Sequence, residues 1–316
     1  GEDLRDWDVS RDEPYFGFNV PGEKSKYIYV WMDAPVGYLS SIQNWANQNE
    51  IDYVNLMNDD NVKLVHFIGK DIVYFHLLFW PAMLKTYGIN NLDEVFVHGF
   101  LTIEGSKMSK SKGNFILADK ALTFAHPDYY RYYLCSKLNT DISDIDFSVN
   151  DFVQKINSDL IGKFINIGSR TQNFLVKLNS SKVASGNISK SLEFKKNYEE
   201  IISLIDRKEY SKALKNIMNI ADKINAYVST EEPWNKAKNG EENECIAICS
   251  EALNVFKDLT ILLQSFIPSI ADKILSLLNV SKLNYDDLSS DNLKEVKKFE
   301  PFITRLEKND FDGILD

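Results

Sequence analysis

The sequence predicts an α/β segment followed by an all-α one: half of a parallel nucleotide-binding sheet, then an α-helix bundle. Three observations carry this. Short runs rich in β-formers, at 27–32, 62–69 and 94–103, alternate with helical patterns. From Asp151 onward the apolar period becomes 3.6, with Phe152, Ile156, Leu160, Phe164 and Ile167 on one stripe. Residues 141–147 between these regions are rich in turn formers. The expected divisions are 1–114, a connecting helical segment at 115–150, and a helical domain at 151–316.

Residues 1–25 are polar and turn-rich, more connector than element. The run from Tyr27 to Met32 is the pattern of a strand buried on both faces; it stops at Asp33-Ala34-Pro35 and leads into a helix containing Ile42 and Trp45. Such a joint, beyond a strand's carboxyl end, is where open parallel sheets bind ligands. The second strand ends at Gly69-Lys70-Asp71, and a helix begins at Ile72. Gly69 permits close backbone approach to a ribose or phosphate. Asp71 suits either hydrogen bonds to a ligand or the N-cap of the helix.

Aromatic residues gather around these joints: Trp31, Tyr38, His76 and Trp80, with Ala34, Pro35 and Ile72 close by. Ile72, His76 and Trp80 are spaced by four and share a helical face. Such a face packs a core or lines an apolar cavity, with Tyr38 and His76 as polar handles. The third strand, 94–103, contains His98, which fits a core histidine as well as a neighbour of adenine or phosphate. That strand runs into Lys107-Met108-Ser109-Lys110-Ser111, followed by Lys112-Gly113-Asn114. The segment is no P-loop, because GxxxxGK[ST] is absent. Its lysines suit a leaving polyphosphate, where preformed cations meet developing charge.

Residues 115–134 look helical, with Tyr129, Tyr130, Tyr132 and Tyr133 suited to domain packing, and Pro127-Asp128 suited to opening a helix. Further helical runs cover 194–206, 209–229, 242–265 and 268–279. On the first long helix Lys163, Asn166 and Arg170 form one polar strip, which fits a solvated face or an RNA contact. Pro233-Trp234, in an interhelical loop, adds an aromatic of the kind single-stranded RNA stacks on.

Composition sets limits. The 316 residues are 44% hydrophobic and 26% charged, as in globular proteins. No apolar run approaches the ~20 residues of a membrane span, so no membrane partner is expected. A net charge of −10 disfavours indiscriminate nucleic-acid binding but leaves room for a local basic strip. The three cysteines form no CxxC pair, which disfavours a zinc site in this chain and fits a reducing cytoplasm. The opening Gly1 reads as a processed, cleaved or engineered start.

The lysine run resembles the KMSKS signature of class I aminoacyl-tRNA synthetases. The segments 29–38, 66–76 and 79–82 are similar to methionyl-tRNA synthetases in particular, and the similarity extends over nearly the whole chain. The resemblance implies a Rossmann-like catalytic half and an anticodon-binding bundle. It implies that Trp31, Ala34, Pro35, Tyr38, Ile72, His76 and Trp80 line a methionine pocket. Gly69, Asp71, His98 and Lys110 would face ATP, with magnesium accompanying it. Lys107 and Lys110 would stabilise departing pyrophosphate, while Asn166, Arg170, Pro233 and Trp234 would read the CAU anticodon of tRNA. The family's His-Ile-Gly-His signature is not in these residues. The expectation is therefore a C-terminal portion that needs the N-terminal half of the same enzyme and catalyses little pyrophosphate exchange alone. An RNA-binding module without catalysis and a synthetase for another amino acid are the alternatives.

Overall fold

Residues 6–89, 92–108 and 113–315 are described by a computed structural model, in which the chain forms two units, Gly1–His98 and Gly99–Asp316. The expected divisions near 114 and 150 both fall within the second unit.

In the first unit, β1 (Ser10–Asp12) pairs antiparallel with β2 (Lys26–Ile28), so the opening segment is more than a connector. The run after Lys26 is not the doubly buried parallel strand its composition suggests. It leaves the hairpin at Tyr29 and winds into a 3-10 turn, Val30–Met32, with Val30 exposed. A two-stranded hairpin offers one neighbour and little sheet to cover, so β-propensity alone cannot keep the run extended. The turn instead directs aromatic rings inward: Tyr29 meets Trp7 at 5.6 Å and Trp31 stacks on Phe75 at 4.3 Å.

Helices α1 (Val36–Gln48) and α2 (Tyr53–Met57) follow, the latter capped by the Asp52 carboxylate accepting from Asn55 N at 2.8 Å. Strand β3 (Val65–Gly69) then pairs in parallel with β4 (Glu94–His98), in register from Val65↔Glu94 to Gly69↔His98. The crossover holds a 3-10 turn at Lys70–Ile72, a π-helical turn at Phe75–Phe79, and α3 (Trp80–Tyr87). The expected third strand is broken, because its first half is β4 and its second half belongs to a different sheet.

That sheet lies in the second unit. Its central strand β5 (Leu101–Ile103) pairs antiparallel with β6 (Ser106–Lys107) and parallel with β7 (Ile145–Phe147). Glu104 and Gly105, at φ 47° and 73°, form the two-residue turn between β5 and β6; left-handed geometry at both positions matches the strands' twist and is what selects glycine there. The helices α4 (Ala118–Phe124) and α5 (Pro127–Lys137) come next, with Pro127 at the first turn of α5. Tyr132 and Tyr133 are fully buried, and Tyr133 meets Phe147 and Phe152 edge-on at 5.6 and 5.3 Å. The tyrosine cluster is core.

One continuous helical run joins α6 (Val149–Lys155), a π-helical stretch at Ile156–Ile165, and α7 (Asn166–Leu178). The predicted stripe Phe152, Ile156, Leu160, Phe164 and Ile167 is its buried face. The bundle continues with α8 (Ser189–Glu193), α9 (Lys195–Asp206), α10 (Tyr210–Glu231), α11 (Pro233–Lys238), α12 (Glu242–Leu263) and α13 (Pro268–Leu277). Every residue of α12 from Ile248 to Leu263 is buried, which makes α12 the axis of the core. The charged tail docks back through Phe299 and Phe311, the latter 5.5 Å from the Phe152 ring. Among the described residues, no helix is long and apolar enough to cross a membrane.

Candidate functional site

In the first unit the sequence-predicted aromatics converge. Trp31 comes from the 3-10 turn, Tyr38 from the first turn of α1, His76 from the π turn and Trp80 from the start of α3. The Trp31 ring lies 5.6 Å from His76, and Tyr38 lies 5.8 Å from His76 and 6.0 Å from Trp80. His76 is wholly buried, and hydrogen bonds hold both of its ring nitrogens. Nδ1 is 2.9 Å from the Ile72 carbonyl and Nε2 is 3.0 Å from the Tyr38 hydroxyl. A carbonyl can only accept, so Nδ1 carries the proton and, in the neutral ring, Nε2 accepts from Tyr38. Ile72 thus serves the cluster through its backbone. Pro35 is buried as the N-cap of α1, whereas Ala34 beside it is exposed.

Sequence reasoning missed four neighbours. His66, on β3, is buried among Tyr38 at 4.7 Å, His76 at 5.6 Å and Trp80 at 6.4 Å. Burial, then the proximity of His76, lowers its pKa and favours a neutral ring. Phe75 stacks on Trp31, and Trp7 packs on Phe75 at 5.4 Å. The fourth is Asp33, whose Oδ1 is buried with no hydrogen-bond partner among the described residues, as is Trp80 Nε1. Adjacency to His76 was the one available signal for Phe75; His66 carried none beyond its place in a buried strand.

Gly69 and His98 are register partners at the carboxyl ends of β3 and β4. The Asp71 carboxylate folds back over the strand end into the space a Cβ on Gly69 would take, with Oδ1 2.7 Å from that position. His98 stacks in plane with Phe67 at 6.1 Å; burial lowers its pKa, and its Nδ1 has no partner among the described residues. Gly69, Asp71 and His98 therefore share one edge of the unit.

In the second unit Lys107 is the last residue of β6, exposed, with Nζ 4.9 Å from the Phe100 ring centroid. The carboxylate of Asp146 on β7 pins the hairpin by accepting from Gly105 N in its turn and Thr102 Oγ1 on β5, both at 2.7 Å. Lys110 lies outside the described residues.

The polar strip on the long helical run is half of a ladder. Lys163 pairs with Asp222 at 2.7 Å, Asn166 Nδ2 donates to Asn225 Oδ1 at 3.1 Å, and Arg170 donates to Ser229 Oγ at 3.0 Å. All three rungs join the run to α10. Pro233 and Trp234 open α11 instead of lying in a loop; Pro233 is buried, while Trp234 is 37% exposed with the Arg170 guanidinium 5.1 Å from its ring centroid. Asn166, Arg170 and Trp234 thus gather on one face.

A family model described as class I tRNA synthetases (M) matches residues 1–172. The chain belongs to that synthetase family. The model for the anticodon-binding domain of methionyl tRNA ligase matches residues 182–310. Similar curated relatives include the methionine–tRNA ligases of Ralstonia nicotianae, 42% identical over 99% of this chain, and of Francisella tularensis subsp. tularensis, 41% identical over 99%. The alignments cover 46% and 48% of those proteins, so this synthetase chain spans about half the length of the curated relatives it matches. A solved Mycobacterium tuberculosis methionyl-tRNA synthetase, in complex with methionyl-adenylate, superposes with a TM-score of 0.77 at 27% identity, covering 94% of this chain and 59% of that one.

Proposed function

We propose that this chain carries the methionine-recognising site, a pyrophosphate-facing lysine hairpin and the anticodon-reading face of a methionine–tRNA ligase. The convergence of Trp31, Tyr38, His76 and Trp80 is the observation that carries the reading. An unbranched thioether suits such a cluster, since sulfur at aromatic edges gains about 0.3–1.5 kcal/mol per contact. Gly69, Asp71 and His98 would meet the amino acid's polar end or ATP, and magnesium would arrive with the nucleotide's phosphates. In the activation step the methionine carboxylate attacks the α-phosphorus and pyrophosphate leaves. Lys107, and Lys110 beyond the described residues, would stabilise the charge that develops. Transfer to the tRNA hydroxyl then releases AMP. Asn166, Arg170 and Trp234 would hold the CAU anticodon, with Pro233 setting the ring's position. The chemistry belongs to cytoplasmic translation.

Titrating the chain with methionine while following tryptophan fluorescence tests this. A saturable change is expected for methionine and not for valine, and Trp31→Ala and His76→Ala should each weaken it at least tenfold. A response to valine, or none lost in either variant, would overturn the methionine assignment. Binding of a CAU stem-loop with no methionine response would favour an RNA-binding module.

A further inference from the structure

His76 is a helical residue turned so that both of its ring nitrogens are engaged. The reason lies five residues downstream. Phe75–Phe79 is π-helical: Trp80 N donates to Phe75 O, an i→i+5 bond instead of the i→i+4 bond of an α-helix. The next residue is Pro81, in the first turn of α3. A proline there has no N–H to offer the Leu77 carbonyl, and its ring collides with that carbonyl in α geometry. Widening the preceding turn relieves both problems. It also changes the phase of the helix, because an extra residue is accommodated before α3 resumes.

We infer that Pro81 is a positioning residue for the aromatic site: by enforcing the wide turn at Phe75–Phe79 it sets His76 between the Ile72 carbonyl and the Tyr38 hydroxyl. The geometry fits on each side. His76 Nδ1 reaches back four residues to Ile72 O at 2.9 Å, while Nε2 meets Tyr38 across to α1 at 3.0 Å. Phe75, in the same turn, stacks on Trp31 with 3° between the ring planes. Relaxing the segment to α-helix would shift Phe75 and His76 around the axis relative to Trp80, which is held by burial in the core. The two hydrogen bonds and the Trp31 stack would then not be made together. Pro81 itself is only half-buried and touches the cluster through the helix's register. Its importance for methionine rests on the functional reading above; its effect on His76 does not.

The test separates the two. Nitrogen-15 NMR of histidine side chains in the unmodified chain should show His76 as the Nδ1–H tautomer, with a slowly exchanging ring proton. In Pro81→Ala, which restores a peptide N–H, the His76 signals should shift to a mixture of tautomers and the protected proton should disappear. Pro81→Gly, which restores the same N–H with a poorer helix former, should do likewise. Tyr38→Phe should keep the protected Nδ1–H while altering Nε2, marking the signature of a lost hydroxyl alone. Methionine affinity, read by tryptophan fluorescence, should fall about tenfold in both Pro81 variants. Retention of the protected Nδ1–H in both folded Pro81 variants would overturn the inference. Loss of the tautomer with no change in methionine response would support the positioning role while removing its tie to methionine.

Discussion

Replacing Trp234 with alanine tests the contribution proposed for its ring in RNA binding. The indole is 37% exposed, and Arg170 occupies the space 5.1 Å from its centroid. What remains accessible would serve the proposed function as a platform for a base. Stacking on an aromatic side chain is worth about 1–3 kcal/mol per base, which is roughly a 5- to 150-fold rise in Kd. Losing the ring also frees the guanidinium, at about 0.5–1 kcal/mol for an exposed cation–π contact. Trp234→Ala should therefore weaken binding of a CAU stem-loop by about 5- to 150-fold, measured by fluorescence anisotropy at fixed ionic strength. No charge is removed, so the slope of log Kd against log salt should stay the same. Arg170→Lys keeps the charge but loses the planar guanidinium that donates to Ser229, and should also weaken binding at nearly constant slope. The folded state should hardly notice the loss of Trp234, because the buried residue of this joint is Pro233. Unchanged affinity in Trp234→Ala, with α11 intact by circular dichroism, would refute the stacking role.

Three further outcomes follow from polar contacts. Lys257 is wholly buried in α12 and donates to Asp287 O, Ser290 O and Asn292 Oδ1 at 3.1, 2.7 and 3.0 Å, beside Asp258 at 3.3 Å; Lys257→Met should cost about 3–5 kcal/mol in urea unfolding, with partial recovery in Lys257→Met/Asp258→Leu. His66 has its pKa lowered by burial, so its contribution to stability is complete above the unfolded value near 6.5 and is lost as pH falls through the folded value; urea unfolding of the first unit should occur earlier at pH 5 than at pH 7.5, and less so in His66→Phe. Asp146→Ala removes the acceptor for both the turn N–H of Gly105 and the Thr102 hydroxyl and should cost about 1–2 kcal/mol, seen as faster amide exchange at Gly105.

The helical unit was largely legible because a 3.6-residue period survives any tertiary arrangement. The stripe from Phe152 to Ile167 and the runs that became α9, α10, α12 and α13 all follow from it. Strands were less legible, since a β-rich run states a preference for extension without naming a neighbour. Residues 27–32 illustrate this: Lys26–Ile28 found a partner in Ser10–Asp12, and Val30–Met32 did not and turned. The run 94–103 was divided between two sheets for the same reason. In the site, the four-residue spacing of Ile72, His76 and Trp80 was readable, yet the π turn between them was not. A shift in helical phase leaves the letters unchanged, so Phe75 reached Trp31 unannounced. His66 was hidden because a histidine in a strand carries no mark of the face it occupies until the neighbouring helices are placed.

The same reasoning explains how an acidic chain can present a selective basic face. Seen on one helix, Lys163, Asn166 and Arg170 look like a cationic strip. The ladder to α10 changes the charge count, because Lys163 is paired with Asp222. A positive group held beside Trp234 is the Arg170 guanidinium, bound to a neutral hydroxyl. Asn225 is oriented by donating Nδ2 to Lys163 O and Ala221 O, both at 2.8 Å, so its carbonyl oxygen must face Asn166. Asn166 in turn commits one N–H to Asn225, so its carbonyl oxygen and second N–H are left to meet a ligand. The face thus brings an amide, a planar cation and a ring together in a fixed orientation. A net charge of −10 over the chain repels polyanions at long range, and under the proposed function such a face would admit an RNA loop by short-range fit.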